Sequence, residues 1–228
     1  MTEDNTPIKQ RLQITFGKFD ALRYTGNLDV AKLWERVLRR ANVPILYSQG
    51  FNPRPRIQLA TALPLGMTSA CEILDVSLRE LIPLDNLAER LEATSPAGLK
   101  IYAIQDVPVR SPTLQALVRS AEYRIHFEDG IDRAILDEKI KAIMGADEVA
   151  LTKEKKGSET TVNIRPMIYE LTVNPDGELL VHLATGDQGN LRPDDLLVAM
   201  GLQDEFASIH RYALHFAGES SSGQEYYQ

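Results

Sequence analysis

The clearest periodicity in the chain lies at Val30, Leu33, Trp34, Val37, Leu38 and Ala41. These fall at i, i+3, i+4, i+7, i+8 and i+11, a continuous apolar stripe on one face of a helix. Asn27 stands where a helix N-cap is expected. Pro44 stops the helix, because the residue before a proline is pushed out of the α region. Lys32, Arg36, Arg39 and Arg40 occupy the opposite face. Ahead of the helix, Arg11 to Phe16 alternates polar and apolar residues, the period of a strand with one buried face. Phe19 to Tyr24 continues as strand or turn. Beyond the helix, Ile57 to Leu63 and Ile73 to Leu78 read as strands. Leu84, Leu87, Ala88 and Leu91 mark a second helix, opened by Pro83 and Asp85, and Leu99 to Val107 a further strand. The order β-α-β-β-α-β is that of a ferredoxin-like unit.

Pro108 to Pro112 interrupts the pattern, and a short helical piece is expected over Thr113 to Ser120. A second cycle then begins. Tyr123 to Phe127 reads as a strand, and Ile131, Ile135, Ile140 and Ile143 mark a helix. Val149 to Leu151 and Thr160 to Ile164 flank a charged tip, as in a hairpin. Met167 to Val173 and Glu178 to Ala184 form a second hairpin around Asn174-Pro175-Asp176-Gly177, a strong turn signal. Pro193 with Asp194 and Asp195 opens a helix, where proline and acids suit the first turn. Ala207 to Phe216 is the last strand. The predicted fold is α+β: two tandem ferredoxin-like halves with antiparallel sheets. They cover residues 10–107 and 121–217, the second with an extra hairpin, and a disordered tail is expected over 218–228.

A chain of 228 residues can bury a core without metal or disulfide support. Its single cysteine, Cys71, rules out an internal disulfide, a four-cysteine zinc site and a cysteine-ligated iron–sulfur cluster within this chain. No apolar run approaches the roughly 18 residues of a membrane helix. The acidic start, Met1 to Asn5, is unlike a secretion signal. A cytoplasmic protein with no membrane association is expected. Net charge is −7, from 25 Lys and Arg against 32 Asp and Glu. The charge is unevenly spread: Lys9 to Arg56 holds ten basic and three acidic residues, leaving 15 and 29 elsewhere. A basic first quarter on an acidic body can build a local anion-binding face.

Candidate chemistry concentrates there. Arg23 and Tyr24 precede the helix; Arg36, Arg39 and Arg40 line it. Tyr47, Ser48, Phe51, Asn52, Arg54 and Arg56 follow in a segment too rich in Pro and Gly for a regular element. Arginine forks bind phosphate or carboxylate, and exposed aromatic rings offer stacking surfaces. Asn-x-Arg-Pro occurs three times, at Asn52, Asn163 and Asn190, and each proline holds its arginine extended. Asp75, between Leu74 and Val76, reads as a paired structural acid, and Cys71 as a buried thiol. His126, His182, His210 and His215 show no metal-ligand spacing with one another or with Cys71. No phosphate-cradling glycine loop or nucleophile elbow is present. The sequence therefore points to no catalytic residue, no metal and no cofactor.

The same residues carry a resemblance. Arg23-Tyr24-Thr25-Gly26-Asn27-Leu28-Asp29, Leu38-Arg39-Arg40-Ala41, Tyr47 through Ile57 and Ala62-Leu63-Pro64-Leu65-Gly66 resemble the radical-SAM-linked protein family. That is a bacterial domain of unknown function, found alone or fused behind B12-binding radical SAM domains. The family shows Ser-His-Leu-Asp where this chain has Gly26-Asn27-Leu28-Asp29. The resemblance implies a separate radical SAM protein as partner. The expected function is a non-catalytic accessory protein of such an enzyme, presenting an anionic substrate, with RNA the candidate. The alternatives are a stand-alone, metal-free enzyme that cleaves or modifies RNA, and a face that docks the radical SAM protein.

Overall fold

The computed structural model describes residues 7–155, 158–187 and 189–218. The expected disordered tail lies outside them from position 219, as do Lys156 and Gly157 of the charged hairpin tip. The chain divides into two compact units, Met1–Leu117 and Val118–Gln228. Both are mixed α+β with antiparallel strand pairing.

The first unit holds β1 (Gln10–Lys18), α1 (Asn27–Arg40), β2 (Ile57–Leu59), β3 (Thr68–Leu78), α2 (Leu87–Glu92), β4 (Leu99–Asp106) and α3 (Leu114–Leu117). Its sheet runs β4-β1-β3, with β2 on the outer side of β3. Alternation on β1 sends Leu12, Ile14 and Phe16 to one face, where Leu74 and Val76 of β3 join them. The stripe of α1 closes over this layer. Trp34 is completely buried, its ring edge-on to Phe16 at 5.0 Å and 72°. Its indole Nε1–H finds no acceptor among the described residues.

The second unit holds β5 (Val118–Phe127), α4 (Arg133–Gly145), β6 (Ala150–Lys155), β7 (Ser158–Asn163), β8 (Ile168–Val173), β9 (Leu179–Ala184), α5 (Pro193–Ala199) and β10 (Ala207–Phe216). Its sheet runs β10-β5-β9-β8, and β6 pairs β7 as a separate hairpin. Ala121, Tyr123, Ile125 and Phe127 of β5 are buried, while Glu122, Arg124 and His126 alternate to the other face. A bulge interrupts β10: Arg211 stands opposite Tyr123 but Ala213 stands opposite Glu122, so Tyr212 is the extra residue. A bulge reverses the in–out phase of everything beyond it.

Several expectations need correction. Asn27 is the first residue of α1; Gly26 is the N-cap, and no side chain caps the helix. Of the two readings of Phe19 to Tyr24, strand or turn, the turn holds, as a 3₁₀ turn over Asp20–Tyr24. Strand β2 covers three residues rather than seven, because the chain turns off β3 ahead of Pro64. Strand β3 starts five residues earlier than the apolar run suggests. Ser69 and Glu72 are buried in it despite their polarity, which hides the strand from a hydropathy pattern. The helical piece α3 is only four residues long, because Val118 already belongs to β5.

Candidate functional site

The Tyr47–Arg56 segment is irregular but tightly stitched. Ser48 N–H donates to the Arg54 carbonyl at 2.8 Å, and Arg54 N–H donates to Ser48 Oγ at 2.9 Å. Tyr47 bridges Pro55. Arg56 N–H donates to the Leu46 carbonyl, and Ser77 N–H of β3 donates to that of Arg56. The base of the segment is thus sewn to β3, and the tip is exposed. Gly50 adopts φ +133°, a conformation that strains any other residue, and Phe51 is fully solvent-exposed.

The candidate residues divide by role. Arg23 Nε donates to the Gly66 carbonyl at 3.0 Å, and Gly66 N–H donates back to the Arg23 carbonyl at 2.8 Å. That pair clamps two turns together, with exposed Tyr24 beside the guanidinium. Tyr47 is half-buried and donates its hydroxyl to Glu35 Oε1 of α1 at 2.9 Å. Burial, then the Glu35 contact, push its phenol above the ordinary range, and Arg39 opposes this. Glu35 and Arg39 of α1 therefore adjoin the base of the loop. Arg36, Arg39, Arg40, Asn52 and Arg54 are exposed. Among the described residues none of Arg36, Arg39, Arg40, Arg54 and Arg56 makes an ion pair. Arg56 lies elsewhere, lining a cleft of about 410 Å³ with Arg11, Gln58, Asp75 and Ser77. Backbone alternation explains the separation: Pro55 pairs Tyr47, so Arg56 points the other way.

The floor of that cleft is structural. Arg11 Nε donates to Asp75 Oδ1 at 2.8 Å and Nη2 to Oδ2 at 2.5 Å, with both side chains buried. Its remaining donors reach the carbonyls of Ser111 and Pro112. Asp75 is therefore the paired acid its position suggested. The three Asn-x-Arg-Pro copies do three different things. Arg165 fastens the carbonyls of Met144 and Ile168, Arg192 pairs Asp194 at the start of α5, and the Arg54 side chain makes no ion pair among the described residues.

A second cluster, which spacing along the chain does not reveal, lies on the outer face of the second unit's sheet. Glu122 of β5 stands directly opposite His182 of β9. His215 of β10 stands opposite Ser120, one step along the same face. His215 Nε2 lies 2.5 Å from Glu122 Oε1, the Tyr212 hydroxyl donates to Glu122 Oε2 at 2.7 Å, and His182 Nε2 lies 2.7 Å from Ser120 Oγ. One donor atom from each of Glu122, His182 and His215 falls within 4.8 Å of the others. The contacts from His215 and Tyr212 hold Glu122 down to about 2, while burial lowers His182. Tyr212 is driven up chiefly by burial and then by Glu122.

Both acid-limb shifts have the same sign. A depressed carboxylate contributes stability above its ordinary value of 4.5, lost as pH falls from 4.5 toward 2. A histidine kept neutral contributes stability that is lost below its ordinary 6.5. Thermal melts across this range are expected to show the wild type losing Tm more steeply than Glu122→Gln between pH 4.5 and 2. Parallel profiles would show that Glu122 is not held ionised by its neighbours.

Comparison with known proteins adds a family. Residues 11–193 match the profile of a family described as an uncharacterized protein conserved in bacteria (DUF2344). No curated protein matches the chain. Among solved structures, a chain of a Cbf5-Nop10-Gar1 complex aligns at 13% identity with a TM-score of 0.42, over 88% of this chain and 47% of that one. The chain thus spans about half the length of that neighbour. An unknown protein from Galdieria sulphuraria aligns at 15% identity with a TM-score of 0.26, over 91% of this chain and 98% of that one. No helix among the described residues is long and apolar enough to cross a membrane.

Proposed function

The chain belongs to this family of uncharacterized proteins conserved in bacteria, and on that premise we propose that it is a non-catalytic accessory module that binds RNA. The observation that carries the reading is the exposed arginine face of α1, without ion pairs among the described residues, beside a pinned loop that holds Phe51 wholly in solvent. Three arginines within five residues, on an acidic chain, form a local site for a polyanion. A rigid loop presenting an aromatic ring suits base stacking, which tolerates any sequence. The segment is held by backbone hydrogen bonds, so little ordering would be lost on binding. Its resemblance to radical-SAM-linked proteins supplies the proposed partner, a separate radical SAM enzyme to which the RNA is presented. Cys71 alone cannot hold the cluster such chemistry needs. We further read both units as variants of the ferredoxin-like plan, supported by the equivalent orders β4-β1-β3 and β10-β5-β9.

Fluorescence anisotropy with a labelled single-stranded RNA at several salt concentrations tests this. Arg36→Ala with Arg39→Ala and Arg40→Ala is expected to weaken binding and reduce the salt slope by about 2, since each phosphate contact contributes about 0.7 for single strands. Phe51→Ala is expected to cost about 1–3 kcal/mol of binding with the salt slope unchanged. Stability should stay within about 0.5 kcal/mol, because these side chains are exposed. Equal affinity for variant and wild type at two salt concentrations would remove RNA from this face and leave protein docking. RNA cleaved or altered by the purified chain would replace the module with an enzyme.

A further inference from the structure

We propose that Glu122, His182 and His215 form a binding site for one divalent transition-metal ion, with zinc the best-matched. The residue set is the first reason. Two imidazoles and one carboxylate suit zinc and its first-row neighbours, and they make up a common three-ligand zinc set that leaves a position open. Magnesium and calcium prefer all-oxygen sites.

Geometry is the second reason. The three donor atoms lie within 4.8 Å of one another and come from three adjacent strands, β9, β5 and β10. A ladder holds such positions more rigidly than loops do. The convergence depends on the β10 bulge. Continuing the register from Arg211 opposite Tyr123 without the extra residue would turn His215 to the opposite face. Tyr212, the inserted residue itself, is the one that donates to Glu122.

The surroundings are the third reason. Metal-binding side chains are usually oriented by partners in a second layer, and two are in place here: Ser120 against His182 and the Tyr212 hydroxyl on Glu122. Glu170, opposite His182 on β8, adds negative charge on the same face. Arg124, on the same face of β5 as Glu122, is paired with Glu178. A pocket of about 160 Å³ lined by Glu122, Glu170, Thr172, His182 and Tyr212 opens beside the ligands, with room for water or a small ligand on the ion. The contact between His215 and Glu122 opens so that both face the ion, and any proton shared there is released. The site lies wholly in the second unit and does not depend on the arginine face of the first.

The test uses the full chain without an affinity tag, stripped with a chelator, folded by circular dichroism, and titrated calorimetrically with zinc chloride at pH 7.5. One equivalent should bind, and cobalt(II) in its place should develop the visible d–d absorption of a low-coordinate nitrogen and oxygen site. Removing an outer-layer partner typically costs about 10–100-fold in affinity, so Tyr212→Phe should fall in that range and Glu122→Gln and His215→Ala should lose more than about 100-fold. Failure of the stripped, folded wild type to take up one equivalent would overturn the proposal. So would zinc binding that Glu122→Gln and Tyr212→Phe both leave unchanged, since either variant alone keeps the strand packing.

Discussion

Asp75→Ala is expected to destabilise the first unit by about 3–5 kcal/mol, because it leaves the buried Arg11 guanidinium without its counter-charge. The lost attraction is the smaller part. Arg11 Nε and Nη2 both point at Asp75, and the Ser111 and Pro112 carbonyls hold the guanidinium in that place when the carboxylate is removed. The penalty is that of an orphaned buried charge. Replacing both partners, as Arg11→Met with Asp75→Leu, should therefore recover about half or more of the loss, since paired apolar groups of similar size are tolerated where a lone charge is not. Urea unfolding followed by tryptophan fluorescence measures this directly. Trp34 is the single tryptophan and lies in the first unit's core, so its signal reports that unit. A loss below about 1 kcal/mol for Asp75→Ala would mean that the pair is solvated like a surface salt bridge.

Trp34→Ala is expected to cost about 3–5 kcal/mol, the range for emptying a large aromatic from a packed core. The indole is fully buried and edge-on to Phe16, so its removal opens a cavity between α1 and β1. Trp34→Phe should cost far less, under about 1.5 kcal/mol. It keeps a ring against Phe16 and removes an Nε1–H that has no acceptor among the described residues, offsetting the lost area with about 1–3 kcal/mol of relieved desolvation. Circular dichroism replaces fluorescence as the readout for both variants. Equal costs for the alanine and phenylalanine variants would show that the orphaned donor is not paying a penalty.

How much of this could be read from the chain follows from what each feature depends on. The α1 stripe, the Asn174–Gly177 turn and the strand at Ala207–Phe216 depend on local geometry, and they stand where periodicity and turn chemistry put them. The polar half of β3 was hidden because Ser69 and Glu72 are buried against expectation for their type. Among the candidate residues, the exposed arginines of α1 followed from helical phase alone, since the stripe assigns the other face to solvent. Arg23 could not be recognised as a clamp, because its acceptor, Gly66, lies 43 residues away. Tyr47 and Arg56 could not be told apart, because their separation rests on the Tyr47–Pro55 bridge.

Local sequence thus specified the elements, their order, the basic character of the first quarter and the absence of cysteines for a cluster. Folding specified which polar groups meet. Arg11 finds Asp75 across 64 residues, and His215 meets Glu122 across 93. Periods of 3.6 and 2 describe one segment at a time, whereas cross-strand pairing depends on register. Register depends in turn on where a bulge inserts an extra residue, and that is settled by the burial of whole faces. The one-residue bulge at Tyr212 leaves composition and hydropathy untouched, yet it alone puts His215 on the same face as Glu122 and His182.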